Sequence, residues 1–251
     1  METPRYFYHP DPSIWLSVDP LSDKYPNLTP YAYCANNPII LVDPDGRDWY
    51  EVENSETKQK EIKWTEHKSQ AEMDAAKVQG NYLGEAVVVM NGSKDEKLGK
   101  DGTLTGEGAN PAKVTIYGKN GKDDIKTYDG LTVSSDPSKY SMVASGDYRA
   151  YYEDMATKAY GSKGNSLSYR IANLDGSLKL PTEGGEINKQ NPEQGAYLTE
   201  IFFHRTNNNG KATHSSQGCP MVDGNTKSVN NWKSVEKQLG KSSNIFFRII
   251  R

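Results

Sequence analysis

The sequence predicts a mainly β chain of the α+β class. A β-sandwich or barrel domain carries one C-terminal helix and follows a short β-rich segment. Three observations lead there. Sixteen Tyr against five Phe favour strand surfaces that are half buried and keep one polar tip in water. Twenty-two Gly and thirteen Pro cut the chain into short pieces joined by turns. Hydrophobic residues make up only 35% of the 251, so the core is lean and much of the chain lies in loops or on exposed strand faces. That length accommodates two domains, and shifts in composition divide it into residues 1–47, a β-rich connector over 48–109, and a larger domain over 110–251.

Residues 1–47 are dense in Asp-Pro and Asn-Pro steps. Each Pro fixes φ and removes a backbone donor, which predicts strand fragments separated by turns. Asp48–Val52 and Lys60–Trp64 alternate as the arms of a hairpin. Ser69 is placed to cap a short helix running to Gly80. Residues 84–92 read as a strand ending in an Asn-Gly turn, and residues 93–111 as a polar loop. This connector holds no catalytic constellation, and His67 stands alone among polar residues. Strands recur over 113–118, 124–135, 140–154, 166–174, 198–204 and 244–251. Between the last two, Val229, Trp232, Val235 and Leu239 share one helical face, and Gly240 stops the helix.

The net charge of −3 argues against a nucleic-acid binder taken as a whole. Residues 198–251 do carry eight Lys/Arg against three Asp/Glu. These are spread over a helix face and tail, without interleaved aromatic residues or a carboxylate cluster for metal, so a nuclease is an alternative without a motif. No stretch approaches the ~20 apolar residues that span a bilayer, and the first ten residues lack the apolar core of a signal peptide. Either a protein that stays in the cytoplasm where it is made or one that leaves by a route that ignores signal peptides is expected. Two cysteines in so long a chain do not form a disulfide framework. Cys34 lies in a Tyr-Cys-x-Asn-Asn-Pro run and reads as a packing residue, whereas Cys219 follows a glycine in a polar turn.

Cys219 is therefore the candidate nucleophile. Attack needs a thiolate, and an imidazole takes the proton; His204, at the end of an apolar strand, is the candidate base. Gly218 lets the backbone turn tightly, so the N–H groups of Gln217, Gly218 and Cys219 can converge on a developing oxyanion. Such chemistry calls for no cofactor. A competing use is zinc held by His204, His214 and Cys219, although no Glu or Tyr in the same motif serves as general base. His214 otherwise reads as a loop residue at the mouth of the site.

Two resemblances add to this reading. Arg5-Tyr6-Phe7-Tyr8, Asp11-Pro12, Trp15 to Leu21, Pro30 to Cys34, Asn36-Asn37-Pro38 and Asp43-Pro44-Asp45-Gly46-Arg47 resemble the end of the RHS repeat-associated core. In that family a β-rich shell encloses a variable toxin, and an Asp-Pro-x-Gly signature marks where shell ends and toxin begins. The resemblance implies a polymorphic toxin of interbacterial competition, delivered by contact-dependent or type VI secretion on a carrier and neutralised by a cognate immunity protein. Asp19 and Asp43 fall where some members carry two aspartates that release the toxin by self-cleavage, as paired carboxylates with split pKa values can. Both also simply open Asp-Pro turns, and Arg47 stands where the family has a hydrophobic residue.

Over about 110–251, the strand ending in His204, the loop, and Ser216-Gln217-Gly218-Cys219 resemble the L,D-transpeptidase signature of a His, a variable loop and Ser/Thr-His-Gly-Cys. Ala144 to Tyr148 is similar to that family's Pro-x-Gly-x-Tyr/Phe run, and Leu180-Pro181-Thr182 to a loop that follows it. The resemblance implies an L,D-transpeptidase-like fold acting on peptidoglycan stem peptides through a Cys219 thioester, in the periplasm of a target bacterium. It makes His204 the base, Gly218 the oxyanion turn, Ser216 a site-shaping hydroxyl, and the backbone carbonyl of Arg205 the group that orients the imidazole. Gln217 replaces the family's second His, and Pro220 to Asp223 lack its Asn and Arg, which leaves hydrolysis and exchange both open. A zinc-dependent cell-wall amidase and a non-catalytic wall-binding module are the other readings of the same segment.

Overall fold

The computed structural model describes residues 8–9, 14–15, 48–153, 168–206, 218–223 and 231–251. The chain forms two units, Met1–Asp45 and Gly46–Arg251. In the first, β1 (Tyr8–His9) pairs antiparallel with β2 (Ile14–Trp15). Asp19, Cys34 and Asp43 lie outside the described residues.

The second unit is built on a closed eight-stranded barrel. Its strands are β6 (Ala86–Asn91), β7 (Ala112–Tyr117), β8 (Ile125–Leu131), β9 (Gly146–Tyr152), β10 (Tyr169–Asn173), β13 (Phe202–Arg205), β14 (Met221–Val222) and β15 (Ile245–Ile250). They follow one another around the barrel in the order β10-β13-β14-β8-β7-β6-β15-β9, and β9 closes on β10. Alternate residues point inward, so Val88, Met90, Val114, Ile116, Tyr148, Ile171, Phe203 and Phe247 share one buried cluster. At ~1.5–3 kcal/mol for each fully buried large side chain, this interior is the main source of the domain's stability.

Helix α2 (Asn231–Leu239) adds Trp232, Val235 and Leu239 to the same cluster. Trp232 meets Phe203 and Tyr169 at ring-centroid distances of 6.0 and 6.3 Å. The buried Gln238 amide donates to the carbonyls of Ile116 and Asp124 and accepts from the Tyr128 hydroxyl, which ties the helix to the β7–β8 hairpin. Of the face predicted for this helix, Val229 lies outside the described residues.

The apolar runs of β6 and β15 are continuous rather than alternating because both faces are covered, as is usual for parallel neighbours. Outside them sits a three-stranded antiparallel sheet in the order β4-β3-β5, made of β3 (Asp48–Glu53), β4 (Lys60–Thr65) and β5 (Asn81–Gly84). Trp49 and Leu83 from this sheet pack on Val87 and Phe246, and the Trp49 indole donates to the Gly118 carbonyl at 3.0 Å. Arg248 then links the layers, pairing with Asp147 beside it on β9 and with Glu51 on β3. The stretch 48–109, read from sequence as a connector, thus contributes β6 to the barrel itself, between β7 and β15.

Helix α1 (Gln70–Ala75) is capped by the Ser69 side chain, as predicted, but ends before Gly80. Lys77 turns left-handed at φ 57°, and the Gln70 amide bonds the Gly80 carbonyl and the Tyr82 N–H, which replaces a last helical turn. Only Met73 of this helix is buried, so little packing energy is available to lengthen it. Between β10 and β13, β11 (Leu180–Pro181) pairs with β12 (Tyr197–Leu198) and folds residues 182–196 against the segment around Ser141. Among the described residues no helix is long and apolar enough to cross a membrane.

Candidate active site

One feature of the topology sets the site. β13 and β14 are parallel neighbours, with His204 opposite Met221 and Arg205 opposite Val222. Parallel neighbours cannot be joined by a tight hairpin, so a crossover of a dozen or more residues is required. Residues 206–220 provide it. It returns the chain to the start of the β13–β14 ladder with Cys219 two residues ahead of Met221, packed against the cluster that holds Phe203 and Val222.

The ladder is regular from its C-terminal end: Thr206 N–H donates to the Val222 carbonyl at 3.0 Å, and His204 N–H to the Pro220 carbonyl at 3.4 Å. By the same period the Phe202 N–H faces the Gly218–Cys219 turn. There it donates to Cys219 Sγ at 3.5 Å. The thiol thus occupies the place of a ladder carbonyl, because Gly218, at φ 120°, carries the backbone out of strand geometry. A Cβ at Gly218 would stand 2.6 Å from the Ser141 carbonyl oxygen, so only glycine fits both the torsion and the approach. Ser141 is fully buried and held from behind by Gln190, whose amide oxygen accepts from the Ser141 N–H at 3.1 Å.

The electrostatics favour the neutral forms of both candidate groups, Cys219 and His204. The Cys219 thiol is half-buried and directed at the Glu200 carbonyl at 4.0 Å. Burial pushes it up to about 11; the Phe202 N–H works against this, and the nearby Glu200 charge adds to it. His204 is pulled below its ordinary value, first by burial and then by the Arg205 charge, against the hydrogen bond it makes to the Arg205 backbone. His204 Nδ1 lies 2.8 Å from the Arg205 carbonyl oxygen. A carbonyl only accepts, so Nδ1 carries the hydrogen and Nε2 keeps its lone pair. A neutral imidazole with an available nitrogen is able to act as a general base.

Beside the thiol lies a charged group that local sequence patterns do not mark. Arg170 on β10 is opposite Phe202 in register, and its guanidinium lies 5.1 Å from the Phe202 ring centroid. It forks onto Glu200, with Nη2 at 2.6 Å and Nη1 at 3.2 Å from the two carboxylate oxygens, and meets Glu153 at 3.6 Å. Glu200 holds a left-handed φ of 57° two residues before the start of β13. The only sequence signal for this trio is one of opposite charges, and its members are 17 or more residues apart.

Further along the same face, Asp223 N–H donates to the Asp129 carbonyl at 2.8 Å, which sets two aspartates side by side. Burial, then the Asp129 charge, pushes the Asp223 carboxyl up. Of the residues singled out from the sequence, His204 and Arg205 lie on β13, and Cys219, after Gly218, is bonded to Phe202 of the same strand. Ser216, Gln217 and His214 lie outside the described residues. Among the described residues no group of three or more His, Cys, Asp or Glu side chains is placed to hold a metal ion. Comparison with protein-family models, with curated proteins and with solved structures finds no match to this chain.

Proposed function

We propose that this protein is a bacterial toxin whose barrel domain is a cysteine enzyme of the L,D-transpeptidase or L,D-carboxypeptidase type, acting on peptidoglycan stem peptides. The observation that supports the reading is that β13 carries both the Phe202 N–H that donates to Cys219 Sγ and His204, whose Nδ1 is held by the Arg205 carbonyl. In the reaction, His204 Nε2 takes the thiol proton as Sγ bonds to the carbonyl carbon of an amide next to a diaminopimelate-type residue. The carbon–nitrogen bond then breaks, and the leaving amine takes that proton from His204. Water or an amine acceptor attacks the thioester, and Cys219 recovers its hydrogen. The turn at Gly218 and Cys219 supplies backbone donors toward the oxyanion.

The resemblance of residues 1–47 to the end of the RHS core supports delivery from a producing cell into the periplasm of a rival, and with it a secretion carrier and a cognate immunity protein. Self-cleavage at Asp19 and Asp43 belongs to the same proposal. The test is periplasm-directed expression of wild type and Cys219→Ala, with chromatography of the muropeptides. Altered stems in wild type and unaltered stems in the variant are expected. Toxicity with unchanged muropeptides overturns the reading. Activity that survives Cys219→Ser but is lost to a chelator points to the zinc alternative, and toxicity confined to the cytosol to a nuclease.

A further inference from the structure

We propose that Arg251 is a positioning residue of the Cys219 site, its guanidinium holding together the two stretches of chain against which residues 218–221 are seated. It acts through the backbone it holds, without touching the sulfur. Its importance for catalysis rests on the reading of Cys219 as the nucleophile.

Arg251 follows β15, and its side chain is 1% exposed. Four hydrogen bonds hold it there. Nε donates to the Thr132 hydroxyl at 2.8 Å, Nη1 to the Glu183 carboxylate at 2.5 Å, and Nη2 to the carbonyls of Thr132 and Val143 at 3.0 and 2.6 Å. Thr132 is fixed in turn. Its N–H and its hydroxyl both donate to the Glu96 carboxylate, at 2.7 and 2.5 Å, which leaves the hydroxyl oxygen to accept from Nε. A guanidinium suits this task because its planar fork meets acceptors on several segments at once in a fixed geometry. Burial works against its charge, and the Glu183 and Glu96 carboxylates offset part of that. A cation buried so completely persists only where its partners are in place.

The partners of Arg251 are also what seats the thiol turn. Thr132 comes directly after Leu131, the antiparallel partner of Met221 on β14. On the other side, residues 142–144 form a short ladder with 181–183. Glu183 N–H donates to the Met142 carbonyl at 2.9 Å, Ala144 N–H donates to the Pro181 carbonyl at 2.8 Å, and Val143 lies opposite Thr182. Arg251 grips both rails of this ladder, one through the Val143 carbonyl and the other through the Glu183 carboxylate. Ser141, at the end of the first rail, presents the carbonyl oxygen that stands 2.6 Å from where a Cβ of Gly218 would be. Gln190 Nε2 and Leu198 Cδ1, further along the second, complete that wall at 3.6 and 3.7 Å. Arg251 therefore joins the wall behind Gly218 to the strand beside β14, and so sets the gap into which the turn fits.

Loss of the fork lets wall and strand separate, and the thiol then leaves its buried setting and ionises more easily. The test is the pH profile of iodoacetamide alkylation, read on the Cys219 peptide by mass spectrometry, with Arg248→Gln as control. Arg248 lies on the same strand and pairs with Asp147 and Glu51; it bonds to neither stretch that seats the turn, so its loss weakens the domain alone. In Arg251→Gln the profile is expected to move down from about 11 toward the ordinary thiol value of ~8.5, with alkylation at pH 8 about tenfold faster. Arg248→Gln is expected to keep the wild-type profile. Arg251→Lys, which restores the charge and part of the donor set, is expected to fall between wild type and Arg251→Gln.

A wild-type profile in Arg251→Gln overturns the proposal, and so does an equal shift in Arg248→Gln, which would reduce Arg251 to a source of general stability. If Arg251→Gln does not fold, Glu183→Gln decides, since it keeps an oxygen for the Ser145 N–H and removes only the charge that Arg251 grips. A downward shift in that variant supports the proposal, and an unchanged profile overturns it. Alkylation needs no substrate, so a wild-type protein that leaves stem peptides untouched sinks the enzymatic reading alone, and these profiles still decide what places the thiol.

Discussion

Replacing Gly218 by alanine tests the link between barrel topology and the thiol. The added Cβ must sit at φ 120° and 2.6 Å from the Ser141 carbonyl oxygen. A backbone torsion in a region essentially reserved for glycine costs ~1–3 kcal/mol, and forcing a methyl into filled space costs a similar amount. Relief by movement of Ser141 is resisted, because that residue is fully buried and held through its N–H by Gln190 and through its hydroxyl by Lys189 N–H. A destabilisation of about 3 kcal/mol is expected, which for a domain of this size corresponds to a Tm lower by roughly 6–12 °C.

Gly108→Ala is the control. Its φ of 77° imposes the torsional strain alone, with nothing within 4 Å of the added Cβ, so about 1 kcal/mol and ~2–4 °C are expected. Thermal melts followed by circular dichroism measure both. In the same variant the displaced turn no longer aims its N–H groups, and acylation of Cys219 is expected to slow by about 10²–10³-fold. A Gly218→Ala protein that melts no lower than Gly108→Ala refutes the account of the turn. Wild-type acylation by it refutes the role of the turn in the chemistry.

Two further outcomes follow from the charges. With the thiol at about 11, the rate of iodoacetamide alkylation of Cys219 is expected to keep rising to pH 11 instead of levelling near the ordinary thiol value of ~8.5; a plateau by pH 9 contradicts the resting neutral thiol. Asp223, whose carboxyl is pushed up by burial and by Asp129, disfavours the folded state once it ionises. The sign is that of a raised group: its stabilising contribution is present below the ordinary aspartate value of 3.8 and is lost as pH rises through the raised value. Asp223→Asn is therefore expected to stabilise the protein at pH 7 by about 0.2–1 kcal/mol in urea unfolding, the worth of one like-charge cross-strand contact. The gain disappears below pH 3.8, and destabilisation at pH 7 contradicts the account.

What the sequence by itself determined is local. Alternation over 48–52 and 60–64, the apolar runs of β6 and β15, the Ser69 cap and the Trp232-Val235-Leu239 face each depend on residues a few positions apart. The same holds for a histidine closing an apolar strand and a cysteine after a glycine. What only the tertiary structure decided depends on pairings far along the chain. Parallel pairing of β6 with β15 draws the supposed connector into the barrel, and burial on both faces erased the period that separates a barrel strand from any other apolar run.

The candidate site divides along the same line. His204, Gly218 and Cys219 stand out as residue types in a setting, whereas Arg170, Glu200 and Ser141 become part of the site only because β10, β13 and the turn at Gly218 meet. The thiol itself was readable from the sequence. Its hydrogen bond from Phe202 and its resting protonation were set by the register of two parallel strands, which no local pattern encodes.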